Sequence, residues 1–562
     1  MSAPAVRIFS KRVVHCTLPQ RPLLRTRGPP LRAHCQKGLY HTDQRGPPRL
    51  PRVTRGNSPK RSAIGPRTFL IAAVVSFAVA YGTLSWNTSK DDRQQDTEEL
   101  QSIALSAQDI LSLDLVMAPQ QLPGRPGNLT PDQEAKLKEM WAQTLDLFGV
   151  SDEHEHTNGV APSSASISND SPEKKKKKGL MGRFKKDKAD KDGDAAVGGV
   201  DNDKHGQVKE YEQALSSMTP EYIREAFWGM SKHDHPDALL LRFLRARKWD
   251  VHAAQVMALS TLHWRLKDMH VDDDIMIKGE EGAFKESKSS NAAEKKEGED
   301  FLAQLRLGKS FLHGLDKDGR PCCYVRVRLH HGGEQSEKAL ERFTVYTIET
   351  ARMMLRPPID TATVVFDMTG FSMANMDYTP VKFMIKCFEA NYPESLGSVL
   401  VYKSPWIFSG IWKIIKGWLD PVVAGKVHFV SNVQELEAFV PRTQIPKELD
   451  GDEAWQWSYV EPTEGENAIM EKTQERDQIL SERKELVESY ESETLAWVNG
   501  ESGEGRHRIA QRMAENYWKL DPYIRARSQY DRTGEIGQDG RGTLNFYPKA
   551  AAATAGSNDD LD

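Results

Sequence analysis

Cysteine is scarce in this 562-residue chain: there are five, Cys16, Cys35, Cys322, Cys323 and Cys387, and no two are spaced C-x-x-C. That excludes a small disulfide-stapled secreted scaffold and gives no support to a cysteine zinc site. Catalytic signatures are also missing. There is no G-x-S-x-G elbow, no G-x-x-x-x-G-K-S/T loop, no H-E-x-x-H pair and no G-x-G-x-x-G turn, so no nucleophile, phosphate cradle, zinc pair or dinucleotide site is signalled. His154-Glu155-His156 lies in a polar run with nothing rigid around it, which suits solvent better than a metal. We therefore expect a protein that is not an enzyme, with no metal site. Acid is absent in a third way: residues 1–67 hold one, Asp43, against fifteen Lys or Arg, leaving the remainder at a formal −18.

The acid-poor segment mixes apolar and cationic positions, as in Val6-Arg7-Ile8-Phe9-Ser10-Lys11-Arg12, in the manner of a mitochondrial presequence. Residues 68–86 follow without a charge, and nineteen residues at about 1.5 Å each just cross a hydrocarbon core of about 30 Å. A single transmembrane helix is expected there. Arg61 and Arg67 precede it and Asp91 and Asp92 follow, so the N-terminus should stay on the matrix or cytoplasmic side. The first expectation is the mitochondrial inner membrane, with the rest of the chain in the intermembrane space. The alternative is the endoplasmic reticulum or another secretory membrane, where the sequons at Asn87 and Asn128 would face the lumen.

Residues 87–149 read as a spacer with one amphipathic helix, opened by Thr130-Pro131-Asp132-Gln133 and running to about Phe148. Residues 150–207 read as a disordered polybasic linker, with nine cations and one acid between residues 174 and 188. That run suits either an anionic leaflet or plain solvation. Helical periodicity returns over 208–270, with starts at Thr219-Pro220 and His235-Pro236. Residues 271–300 are polar enough to read as a mobile loop. Over 301–451, Tyr324–Arg328, Val364–Phe366, Val399–Tyr402 and Val427–Val430 read as strands, and Glu341–Leu355 and Asp377–Ala390 as helices, an α/β order. Residues 452–562 read as a tail with a charged helix from about Ala468 to Trp497 and a disordered end.

Residues 406–418, Trp-Ile-Phe-Ser-Gly-Ile-Trp-Lys-Ile-Ile-Lys-Gly-Trp, put eight large apolar side chains on nearly every side of a helix. Such a helix is buried in a core or meets lipid, and three Trp with two Lys suit a membrane interface.

Residues 240–251, L-L-R-F-L-R-A-R-K-W-D-V, resemble the signature of the CRAL-TRIO N-terminal helical lobe. Asn391-Tyr392-Pro393-Glu394, Ser404-Pro405-Trp406, Trp418-Leu419-Asp420-Pro421 and Lys426 resemble landmarks of the CRAL-TRIO domain of fungal phosphatidylinositol transfer proteins. The resemblance covers roughly residues 215–451. It implies an α/β domain with a mixed, mostly parallel sheet flanked by helices, preceded by a small all-α lobe. An apolar pocket would be closed by a mobile gate helix carrying Trp406, Phe408, Ile411, Trp412, Ile415 and Trp418. The implied headgroup site is Arg247, Lys248, Glu394 and Lys426. The implied partners are a bound phospholipid, held as ligand in place of any cofactor, and a membrane surface, with no nucleic acid. Two departures matter. A headgroup Thr is Val423 here, and two hydroxyl residues of the choline-lipid site are Ala362 and Val364, so a sterol, squalene or similar neutral lipid is expected as second ligand. The function implied is membrane-tethered transfer of phosphatidylinositol, the alternative being a lipid sensor or scaffold that does not transfer.

Overall fold

The computed structural model describes residues 122–150 and 203–547. The expected presequence, the span at 68–86, most of the polybasic linker and the last residues of the tail lie outside them. Among the described residues no helix is long and apolar enough to cross a membrane.

The helical lobe is assembled from distant pieces of chain. Helix α1 (Pro131–Leu147) starts with the expected capping box, Thr130 and Gln133 satisfying each other's backbone amides. It packs with α2 (Gln207–Ser217), α3 (Pro220–Ser231), α4 (Pro236–Ala246) and α5 (Val251–His263). Trp141 is fully buried at the centre, its ring 5.7 Å from those of Phe227 and Tyr490.

The stretch 271–300 is not the loop its composition suggests. After a π-helical turn at Val271–Met276 it forms α6 (Ile277–Glu286), interrupted at Gly279, and the start of α7 (Ala292–Leu307). The Lys and most of the Glu lie on exposed or half-exposed faces, Glu280 and Glu281 being buried, while Val271, Ile275, Met276 and Ala283 are buried with Phe301, Leu302 and Leu305. Gly298 permits the close approach, since a Cβ there would lie 2.5 Å from the Ala283 carbonyl oxygen.

One sheet of five strands follows, β1 (Ser310–Leu315), β2 (Pro321–Arg326), β3 (Ala362–Asp367), β4 (Leu396–Tyr402) and β5 (Val427–Val430), in that spatial order. Only β1 is antiparallel to its neighbour. The strand expected at Tyr324–Arg328 ends two residues early, at Arg326, and β1 was not expected. Helices α8 (Glu337–Met353) and α9 (Tyr378–Lys386) provide the crossovers, with α10 (Phe408–Lys416) between β4 and β5. One face of the sheet, with Tyr324, Val365, Leu400 and Tyr402, packs under Val433, Leu436, Val440 and Ile445.

The region read as a tail belongs to both cores. Its helix α11 (Thr473–Val498) pairs with a second, α12 (Glu504–Ile524). Leu486, Val487, Tyr490, Trp497, Ala510 and Met513 are buried in the helical lobe. Trp518 and Tyr530 join the core beside β1 and β2.

Candidate functional site: an apolar cavity behind a gate helix

The other face of the sheet is the floor of a cavity of about 280 Å³. Period-two alternation supplies its lining: Cys323 and Val325 on β2, Val364 and Phe366 on β3, Val399 and Val401 on β4. Helices α8 and α9 contribute Phe343, Ile348, Val381 and Ile385, and α10 closes it with Phe408, Trp412 and Ile415. A lipid chain placed there would gain about 0.8 kcal/mol for each methylene removed from water.

The gate is two-faced, not apolar all round. Phe408, Ile411 and Ile415 point inward and are buried, while Lys413, Ile414 and Lys416 are exposed. Trp412 and Trp418 are half-buried. Trp406 lies before the first helical residue and is 87% exposed, so it is not part of the packed gate.

The four expected headgroup residues fall into two sets. Glu394, which precedes β4, and Lys426, which precedes β5, meet with Lys426 Nζ 3.7 Å from Glu394 Oε2, both about a quarter exposed. Lys426 also donates to the Leu396 carbonyl at 2.8 Å, and the Glu394 carbonyl accepts from Arg242 at 2.9 Å. Leu396, Val423 and Val427 beside this pair line the cavity, so the pair stands at its rim. Val423 presents no hydroxyl there. Arg247 instead donates to Gln207 Oε1. Burial lowers its pKa, opposed by the carboxylates of Asp420, Asp203 and Glu389. Lys248 follows in a left-handed conformation with φ 51° and has no contact that joins it to Glu394 or Lys426.

Two features of the site went unread in the sequence. Glu389 fixes the C-terminal end of the gate: its Oε1 accepts from the Asp420 amide at 2.6 Å, and its Oε2 takes Lys204 Nζ at 2.6 Å and His205 Nε2 at 2.9 Å. Lys204 also donates to the Trp418 carbonyl. Burial pulls the Glu389 pKa up, but these donors outweigh it and hold the carboxyl below its usual range. The second feature is a polar corner at Lys309 and His330, at the far end of the strands. A lone Lys after Gly308 gave no signal. The glycine-rich turn expected after the strand, His330-His331-Gly332-Gly333, does follow β2 and is what carries His330 into the cavity wall.

Residues 305–451 match the family model described as CRAL/TRIO domain, and residues 207–258 match that described as CRAL/TRIO, N-terminal domain. A CRAL-TRIO domain-containing protein of Schizosaccharomyces pombe is 42% identical over 432 residues, spanning 75% of this chain and 94% of that protein. This chain belongs to the CRAL-TRIO family. The Phosphatidylinositol transfer protein CSR1 of Eremothecium gossypii is 37% identical over 444 residues, covering 74% of this chain and 98% of that protein. The SEC14 cytosolic factor of Yarrowia lipolytica is 31% identical over 232 residues, covering 38% of this chain and 43% of that one. The CRAL-TRIO fold, a mixed sheet flanked by helices, and membership of a lipid-binding and transfer family are thus established for this chain. The first two relatives extend the similarity well beyond the two matched segments.

Proposed function

We propose that this CRAL-TRIO protein is a membrane-tethered carrier that takes phosphatidylinositol from one membrane, encloses its acyl chains behind α10, and releases it at another. The observation that carries this reading is an apolar cavity shut by an amphipathic helix, with a carboxylate and an ammonium, Glu394 and Lys426, at its rim. An ammonium suits the phosphodiester and a carboxylate suits inositol hydroxyls. Trp406 and the outer face of α10 are the parts that would meet a leaflet and trigger opening. A second hydrophobic lipid shares the cavity in turn, and the absence of a hydroxyl at Val364 in its wall, and at Ala362 where β3 begins, disfavours a choline headgroup. No bond in the lipid is made or broken, so it should be recovered unchanged. A tether at residues 68–86 behind the presequence-like segment 1–67 would hold the carrier at the mitochondrial inner membrane.

The test is exchange of phosphatidylinositol between vesicles by the full chain and by Lys426→Ala. Losing one charge-assisted contact is worth about 1.5–3 kcal/mol, so exchange should fall roughly tenfold or more, with an unchanged melting temperature because Lys426 is partly exposed. Exchange equal to wild type would remove the headgroup assignment. A chain lacking residues 68–86 should still exchange lipid in solution. If it binds lipid but neither form exchanges it, the protein is a sensor or scaffold.

A further inference from the structure

We infer that the cavity has a second polar end, built on Lys309, which takes the terminal anionic head of a one-tailed lipid, a carboxylate or a phosphate monoester. This rests on the reading of the cavity as a lipid site and names the second lipid. The two polar ends lie at opposite ends of the parallel strands. Glu394 and Lys426 stand where β4 and β5 begin. The Lys309 carbonyl, in contrast, accepts from the amide of Arg326, the last residue of β2, whose partner in register is Asp367, the last of β3. Lys309 lines the cavity and is 6% exposed.

What distinguishes Lys309 from its neighbours is that its charge is not neutralised. Arg326 is clamped on Glu448 through Nε and Nη2, and Arg328 is paired with Asp367. Lys309 has only neutral partners, Gln335 Oε1 and His330 Nδ1, the latter at 3.2 Å, and no carboxylate pairs with it among the described residues. Of the carboxylates around it, Glu334 is exposed and makes no hydrogen bond to it, and Asp300 and Asp377 are committed elsewhere. Asp300 is held by Lys296 at 2.9 Å and by the Ser336 amide at 2.8 Å, and Asp377 caps α9 and lies 3.4 Å from His330 Nε2. Burial lowers the Lys309 pKa to about 8, opposed from a distance by the charges of Glu334 and Asp300, neither of which hydrogen-bonds to it. A buried cation facing an apolar cavity repels choline, gains nothing from a hydrocarbon or sterol ring, and is satisfied by one anion. A phosphodiester carries its charge between two substituents and cannot enter this corner end-on. A fatty acid or a lysophosphatidate can.

The experiment measures binding of cis-parinaric acid and of its methyl ester to the full chain in amphipol, by fluorescence. The acid should bind at least about tenfold more tightly than the ester. Lys309→Met should abolish that preference while keeping ester binding, and Lys309→Arg should keep it. Competition by oleate against 1-oleoyl lysophosphatidate then separates carboxylate from phosphate monoester. Equal binding of acid and ester by the wild type, or an acid preference that survives Lys309→Met, overturns the proposal. The wild-type comparison decides the matter even if the variant does not fold. Lys426→Ala should leave the acid preference intact, so failure of phosphatidylinositol exchange and failure of this site are read separately.

Discussion

His233 illustrates how much a single buried side chain can impose on this molecule. Its ring lies 4.8 Å from that of Trp518 and its Nε2 lies 3.3 Å from the Leu355 carbonyl oxygen, tying α3 to the chain that follows α8 and to α12. Burial lowers its pKa to about 4, against the pull of Asp234 and with the help of Arg356 and Arg352. The unfolded chain, where imidazole titrates near 6.5, therefore binds this proton more tightly than the native state. Stability is intact above pH 6.5 and is lost as pH falls toward 4, by up to about 3 kcal/mol from this group. His233→Asn keeps a donor for Leu355 and cannot titrate. It should be less stable than wild type at pH 7.5, and the gap should narrow or reverse at pH 4.5 in thermal melts. A gap that is the same at both pH values would mean that His233 is not held neutral. Nothing in the sequence marks His233, since the signal is its burial under residues nearly three hundred positions later.

At the scale of elements, the gate shows where periodicity was readable and where it misled. Eight large apolar residues in 406–418 give no polar face on paper, yet the helix that forms starts only at Phe408, and its inward positions, Phe408, Ile411 and Ile415, fall on one side. The strands β3 and β4 were legible because parallel strands buried on both faces are plain apolar runs, and the short apolar run of β5 was legible although His428 and Phe429 are exposed. Helices α6 and α7 were not, because close packing at Gly298 let few apolar residues suffice. The Glu389 contacts have a consequence for the gate's motion. They join Lys204, His205 and the Asp420 amide four residues past the end of α10, so in the proposed carrier they would restrain α10 where the chain rejoins the sheet. Glu389→Gln removes the charge that attracts Lys204 and weakens the acceptor that His205 and the Asp420 amide share, a hydrogen bond to a charged group being worth about 1.5–3 kcal/mol. Lipid exchange by this variant should be several-fold faster than wild type, at an unchanged binding stoichiometry. An unchanged rate would mean that opening hinges elsewhere.

For the molecule as a whole, the matched segments end at residue 451, but the folded unit does not. Asp237 at the start of α4 accepts hydrogen bonds from Trp141 Nε1 at 2.7 Å and from the Tyr490 hydroxyl at 3.0 Å, and it also pairs with Arg506. One buried carboxylate thus ties α1, α4, α11 and α12 together. Burial would raise its pKa, but Arg506 and His235 and the hydrogen bonds to it hold it down. The charged surface of α11 hid this role, since the residues that pack, Leu486, Val487, Tyr490 and Trp497, are too sparse to look like a core face. Each such side chain contributes about 1.5–3 kcal/mol when buried, and a domain's whole stability is about 5–15 kcal/mol. A chain stopped at residue 460 leaves Asp237 without Arg506 and Trp141 without a ring on one side. Removing one partner of a buried pair alone costs about 3–5 kcal/mol. The shortened chain should therefore aggregate or melt without cooperativity, although it contains every residue of the cavity floor and gate. Supplying residues 461–547 as a separate polypeptide during expression should recover soluble, lipid-binding protein, and Asp237→Ala should weaken that recovery. If the chain stopped at 460 melts cooperatively and holds lipid, α11 and α12 are an accessory layer, and the helical lobe must owe its stability to α1 through α5 alone.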